Sequence, residues 1–189
     1  MKPSGPSGQP PAWPVFLCGM MGSGKSTLAP RLAEAWSAPW VDLDRRVESI
    51  FGRTIADLFA AGEPAFRRRE AAALRSLLAE PGVRARTLVV ATGGGTIVDP
   101  QLRTLMSAVG TVVHLKVSID GLVARLRQGG GPARPLLAGD VEAVRARLQA
   151  LADARASAYA SADVVVDGEA DPQDVLCRLR EALEGGEAS

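Results

Sequence analysis

Aromatic residues make up only 4% of this 189-residue chain, so a folded core must be built from aliphatic side chains rather than stacked rings. Cysteine is almost as scarce. Cys18 and Cys177 stand far apart with no second pair near them, which excludes a disulfide framework, offers no metal-ligand spacing and fits a reducing compartment. Both read as small buried apolar groups. The single histidine, His114, lies inside the apolar run Thr111-Val112-Val113-His114-Leu115. One imidazole builds no multi-histidine metal centre, and this setting reads as a strand-core or strand-end residue rather than the base of a Ser-His-Asp hydrolase. No stretch approaches the roughly 20 continuous apolar residues of a membrane span, and no charged-then-apolar signal segment opens the sequence. Neither sign of charge dominates: 22 Lys and Arg oppose 21 Asp and Glu, a net charge of +1. No overall field therefore draws in nucleic acid or an anionic membrane, and any anion site must be local. The expectation is a cytoplasmic protein that binds neither.

What is present is a chain 47% hydrophobic and 23% charged, the profile of one soluble domain that buries roughly 70% of its unfolded surface without disulfides or structural metal. Residues 1–12 are almost all Pro, Gly, Ser and Gln, a composition that buries too little apolar area to offset its ordering entropy and reads as a disordered tail. Residues 185–189 read as a fraying end, which leaves 13–184 as the domain. Within it, five short apolar runs, 15–18, 40–41, 88–91, 111–115 and 164–166, alternate with longer amphipathic segments. Continuous apolar character marks strands covered on both faces, as in a parallel sheet. Three- and four-residue spacing predicts helices over 28–36, 66–78, 119–127, 141–159 and 172–183, the last opened by Asp171 as N-cap and Pro172 at the first helical position. The pattern reads as an α/β fold of three layers, doubly wound around a five-stranded parallel sheet. Pro30 falls past the first turn of its helix, where a kink is expected.

The strongest chemical signal is Gly19-Met20-Met21-Gly22-Ser23-Gly24-Lys25-Ser26-Thr27, a G-x-x-x-x-G-K-S motif between an apolar strand and a helix. Its glycines let successive N–H groups of Gly22, Ser23, Gly24, Lys25, Ser26 and Thr27 face phosphate oxygens, the helix N-terminus adds its positive end, Lys25 reaches the terminal phosphates, and the Ser26 hydroxyl suits Mg2+. ATP with Mg2+ is the implied ligand. Next, Asp42 and Asp44 flank Leu43 where the second apolar run ends. If both belong to the strand, they share a face and point to the crevice beyond the strand ends; alternatively one of them caps a helix. Phosphoryl transfer has use for a carboxylate near the metal and another at the attacking hydroxyl. The triplet Gly93-Gly94-Gly95, directly after the strand 88–91, is either a simple turn or bare backbone for a ligand to lie against. Arg67 and Arg155 are solvated surface charge by default. The stretch Gly129-Gly130-Gly131-Pro132-Ala133-Arg134-Pro135 reads as a disordered loop or as a mobile lid, about 129–141, that carries a cation.

These pieces in this order resemble shikimate kinase, a small member of the nucleoside monophosphate kinase-like P-loop group. The likeness covers about 15–183. It rests jointly on the phosphate loop, Asp42 and Asp44, the stretch from Gly52 through Phe59 to Arg67 and Glu70, the glycine triplet, Arg134-Pro135-Leu136-Leu137, and Arg155 with Tyr159. The resemblance implies transfer of the γ-phosphoryl group of ATP to the 3-hydroxyl of shikimate, in the route to chorismate and the aromatic amino acids. It implies that Arg67 and Arg155 pair with the shikimate carboxylate, Asp44 contacts the reacting hydroxyl, and Gly93, Gly94 and Gly95 line the ring. Asp42 and Ser26 then serve the metal, Lys25 and Arg134 the transferring phosphate, and Arg127 with Pro172 the adenine, with Arg125 as the competing arginine. No second copy is needed to complete such a site, so a monomer is expected. The rival readings are a related kinase with another acceptor, such as gluconate, and a nucleotide-sensing module without turnover.

Overall fold

The computed structural model describes residues 8–128 and 140–185. Five parallel strands, β1 (Pro14–Cys18), β2 (Trp40–Asp42), β3 (Leu88–Ala91), β4 (Thr111–Lys116) and β5 (Val164–Asp167), form one sheet in the order β2-β3-β1-β4-β5. Every residue of β1 and β3 is buried, which is why these strands read as unbroken apolar runs rather than as alternation. Eight helices connect them among the described residues: α1 (Lys25–Ala35), α2 (Leu43–Phe51), α3 (Ile55–Ala60), α4 (Glu63–Ala79), α5 (Pro100–Val109), α6 (Ile119–Gln128), α7 (Val141–Ala160) and α8 (Pro172–Glu184). Alternate strand residues feed two cores. Val15 and Leu17 pack with Leu28 and Leu32 of α1 and Val175 and Leu179 of α8 on one face. Phe16 and Cys18 pack with Leu74 of α4, Leu102 of α5, Leu122 of α6 and Leu148 of α7 on the other. The expected three-layer, doubly wound α/β architecture follows. From β1 the chain crosses toward β2 and from β4 toward β5, so the strands on either side of that divide open a crevice at their carboxyl ends.

Sequence and structure differ at several places. Periodicity pointed to five helices, and α2, α3 and α5 come in addition. Cys18 is buried as expected, but Cys177 is exposed on α8. The stretch read as a tail is held from residue 8 onward: the Gly8 N–H donates to the Glu184 carbonyl at 2.9 Å, and the Thr87 hydroxyl donates to the Pro11 carbonyl at 2.8 Å. These two hydrogen bonds, which composition does not register, hold it at Gly8 and Pro11.

Pro30 lies inside α1, which continues to Ala35. The ring removes the N–H that the Ser26 carbonyl, four residues earlier, would otherwise accept. Burial of Leu28, Ala29, Leu32 and Ala33 on both sides of the proline holds the helix regardless. Pro30→Ala is therefore expected to stabilise the protein by about 2 kcal/mol, the roughly 3 kcal/mol cost of an interior proline less about 1 kcal/mol of entropy that proline removes from the unfolded chain. Scanning calorimetry should show the melting temperature rising by several degrees; an unchanged or lower value contradicts this account.

Candidate active site

The phosphate loop starts where β1 ends. Gly19 has φ +147°, and a Cβ there would stand 2.7 Å from the Leu115 carbonyl oxygen, a backbone atom that cannot give way. Only glycine fits. Gly24 precedes α1 in the left-handed region at φ +97°, turning the first N–H groups of the helix toward the crevice. Lys25 is only 8% exposed. Its Nζ donates to the Gly19 carbonyl at 2.8 Å and the Met20 carbonyl at 2.9 Å, with the Ser23 hydroxyl at 3.4 Å. These acceptors offset the desolvation of the ammonium and park it inside the loop.

The carboxylates are arranged differently from two alternate strand residues. β2 ends at Asp42, and Asp44 sits in the first turn of α2. Asp42 is the one that caps: its carboxylate accepts the Arg45 N–H at 3.2 Å, and it also accepts the Ser26 hydroxyl at 2.8 Å. The cap starts the helix at once, and that rotation takes Asp44 off the strand. Asp44 still reaches the crevice, since its Oδ1 lies 3.2 Å from where a Cβ on Gly93 would stand.

The glycine triplet lies among charged side chains and the phosphate loop. A Cβ on Gly95 would collide with the Arg67 guanidinium, and one on Gly94 would stand 3.4 Å from the Gly19 carbonyl and 3.6 Å from Arg155 Nη1. The bare backbone at Gly95 is what admits Arg67, while Arg155 and the phosphate loop border the triplet at Gly94. Arg67 comes from α4 and donates through Nη1 to Glu70 at 2.8 Å and through Nε and Nη2 to Glu63 at 3.2 and 3.0 Å. Its guanidinium lies over the rings of Phe66 and Phe59, 5.1 and 5.7 Å from their centroids. Burial works against the charge, but the adjoining Glu70 and Glu63 carboxylates outweigh it and raise the Arg67 pKa. Arg155 comes from α7 and donates to the Gly94 carbonyl at 3.2 Å.

Sequence reasoning missed Glu70 as a participant. It is 1% exposed and accepts the Thr96 hydroxyl at 2.7 Å as well as Arg67. Its three-residue offset from Arg67 was visible; its burial against Thr96, from another element, was not.

At the nucleotide end, Arg125 donates to the Gly168 carbonyl at 2.5 Å and the Glu169 carbonyl at 3.1 Å. It is thereby bound to the loop that leads to Pro172, whereas Arg127 stands exposed at the end of α6. Arg134 and the other residues of 129–139 lie outside the described residues. Among the described residues no group of three or more His, Cys, Asp or Glu could hold a metal. The Ser26 hydroxyl and the Asp42 carboxylate, 2.8 Å apart beside the phosphate loop, are hard oxygen donors of the kind Mg2+ takes alongside phosphate and water.

The shikimate kinase family model matches residues 21–184. This chain belongs to the shikimate kinase family. It is 40% identical to a shikimate kinase of Symbiobacterium thermophilum over 90% of this chain and 95% of that one. A shikimate kinase of Synechococcus elongatus is 38% identical over 89% and 85% of the two chains. Among solved structures, a shikimate kinase from Bacteroides thetaiotaomicron superposes with a TM-score of 0.84 at 29% identity, covering 91% of this chain and 98% of that one. Another from Acinetobacter baumannii, in complex with shikimate, superposes with a TM-score of 0.82 at 28% identity, covering 94% and 96%. Family membership makes the chain a kinase that uses ATP with Mg2+.

Beneath the site, the His114 ring stacks on Tyr159 with centroids 4.5 Å apart and planes within 6°. Burial, then the charges of Lys116 and Lys25, push the His114 pKa down from 6.5 to about 4. The folded value lies below the unfolded one, so the unfolded chain takes up the proton first as pH falls. The stabilising contribution is full above about pH 6.5 and is lost on the way down toward 4. Denaturant melts across this window should show stability falling with pH, with a shallower fall in His114→Phe, which retains a ring against Tyr159. Equal pH slopes in the two proteins contradict the assignment.

Proposed function

We propose that this chain transfers the γ-phosphoryl group of ATP to the 3-hydroxyl of shikimate, giving shikimate 3-phosphate and ADP. The observation that carries this reading is the meeting of Arg67, Arg155 and the phosphate loop on the glycine triplet. A carboxylate held by the two arginines lies beside the surface on which Lys25 and the N-terminus of α1 receive phosphate. Planar guanidinium forks match a carboxylate in a way a single ammonium does not. Glu63, bound to Arg67 at the surface, is weakly held there and gives way to such a ligand.

Each remaining residue has one task. Lys25 moves from its backbone acceptors onto the terminal phosphates, where its charge offsets what develops during transfer. Asp44 orients the acceptor hydroxyl and takes its proton. Ser26 would hold Mg2+ directly and Asp42 through water; bound there, the ion neutralises phosphate oxygens and aligns them. Arg127 and Pro172 bracket the adenine, a reading favoured by the Gly168 and Glu169 carbonyls that already hold Arg125. Arg134, placed by the family motif alone, serves the transferring phosphate. Because the transition state of phosphoryl transfer is loose, positioning and charge outweigh proton abstraction. The same reading makes the chain a cytoplasmic monomer that binds neither nucleic acid nor membrane: every named residue comes from one chain, the net charge is +1, and no helix among the described residues is long and apolar enough to cross a membrane.

ADP release, followed with ATP and Mg2+ in parallel wells of shikimate, gluconate or no acceptor, tests the proposal. Shikimate-dependent turnover is expected. Turnover with gluconate alone overturns the acceptor, and ATP binding without turnover in any well points to a sensing module. Arg67→Ala should raise KM for shikimate roughly 10- to 100-fold, the worth of charge-assisted hydrogen bonds at about 1.5–3 kcal/mol. Asp44→Asn should instead lower kcat with the fold intact. Unchanged shikimate affinity in Arg67→Ala, or wild-type kcat in Asp44→Asn, contradicts the corresponding role.

A further inference from the structure

Arg155 does not hold its position alone. The carbonyl oxygen of Gly94 accepts from Arg155 Nη1 at 3.2 Å and from the Tyr159 hydroxyl at 2.6 Å. Arg155 and Tyr159 are four residues apart on α7 and therefore project from one face of it. A carbonyl has two lone pairs, and these two donors can occupy both. Tyr159 is 4% exposed, and its ring is fixed flat against His114 of β4. The hydroxyl thus comes from a side chain with almost no freedom to move. Arg155, by contrast, is half-buried; besides the Gly94 carbonyl, its guanidinium meets the Met20 sulfur at 3.9 Å, a soft acceptor, and the Tyr159 hydroxyl itself. Where the carbonyl sits decides where the guanidinium points.

We propose that Tyr159 is a positioning residue for the acceptor site: by anchoring the Gly94 carbonyl, its hydroxyl sets the aim of the Arg155 fork toward the substrate carboxylate. This rests on the assignment of Arg155 to shikimate. Burial drives the Tyr159 pKa up to about 12, so the hydroxyl remains a donor across the neutral range.

Tyr159→Phe removes the hydroxyl and keeps the ring against His114. Loss of one neutral hydrogen bond, about 0.5–1.5 kcal/mol, should raise KM for shikimate roughly 3- to 10-fold. Values of kcat and of KM for ATP should stay within about twofold, a split that a loosened fold would not produce. A double-mutant cycle supplies the second readout. If the hydroxyl acts through Arg155, Tyr159→Phe should add little to the KM of Arg155→Ala. Equal fold-increases in both backgrounds overturn the proposal, as does an unchanged shikimate KM in Tyr159→Phe while Arg155→Ala is impaired. Should Arg155→Ala itself bind shikimate normally, the underlying assignment of Arg155 fails instead, and the role of Tyr159 falls with it.

Discussion

The constraint on which this structure turns is the gathering of positive charge at the carboxyl ends of the central strands in a protein with almost no net charge. Lys25, Arg67 and Arg155 come from three elements and converge within a crevice that removes much of their water. Each is stabilised by a different device: backbone carbonyls around Lys25, a buried carboxylate beside Arg67, and the Gly94 carbonyl under Arg155. Removing charges from water is costly unless such partners are in place. The glycines follow from this requirement. Side chains at 93 and 95 would occupy the space taken by the Glu70 carboxylate and the Arg67 guanidinium.

The strand order serves the same end. Because β3 and β1 are neighbours, the peptide after β3 lies directly against the loop after β1, and the Thr92 N–H and hydroxyl both donate to the Leu17 carbonyl at 3.0 Å. The residue just before the glycine triplet is thus fastened to the end of β1, from which the phosphate loop leaves. Asp42 joins them from β2 through the Ser26 hydroxyl. Such preorganisation is what a loose transition state rewards, since little remains for the protein to supply beyond position and charge.

Much of this was legible in the sequence, and the reasons differ from element to element. The strands stood out because a parallel sheet covered on both faces has no polar interruption. The phosphate loop stood out because its chemistry is local and fixes residue types at fixed spacing. Helix α5 was missed although Asp99 before Pro100 carries the same opening signature as Asp171 before Pro172, with the Asp99 carboxylate accepting the Gln101 and Leu102 N–H groups. Helices α2 and α3 are too short for periodicity to speak clearly, and the cap formed by Asp42 is what separates α2 from β2. Glu70 and Tyr159 were hidden for another reason. Their roles depend on Thr96 and on Gly94, contacts distant in sequence that no spacing rule anticipates. Composition likewise does not register the hydrogen bonds made by the Gly8 N–H and the Pro11 carbonyl.

The central claim is that paired guanidinium groups read a carboxylate beside the phosphate loop. Calorimetric titration of the wild-type protein with shikimate and with its carboxamide, which keeps the ring and the hydroxyls but lacks the negative charge, tests it most directly. The account predicts clear binding of shikimate and a loss of roughly 10-fold or more for the carboxamide. Equal affinity for the two would contradict it.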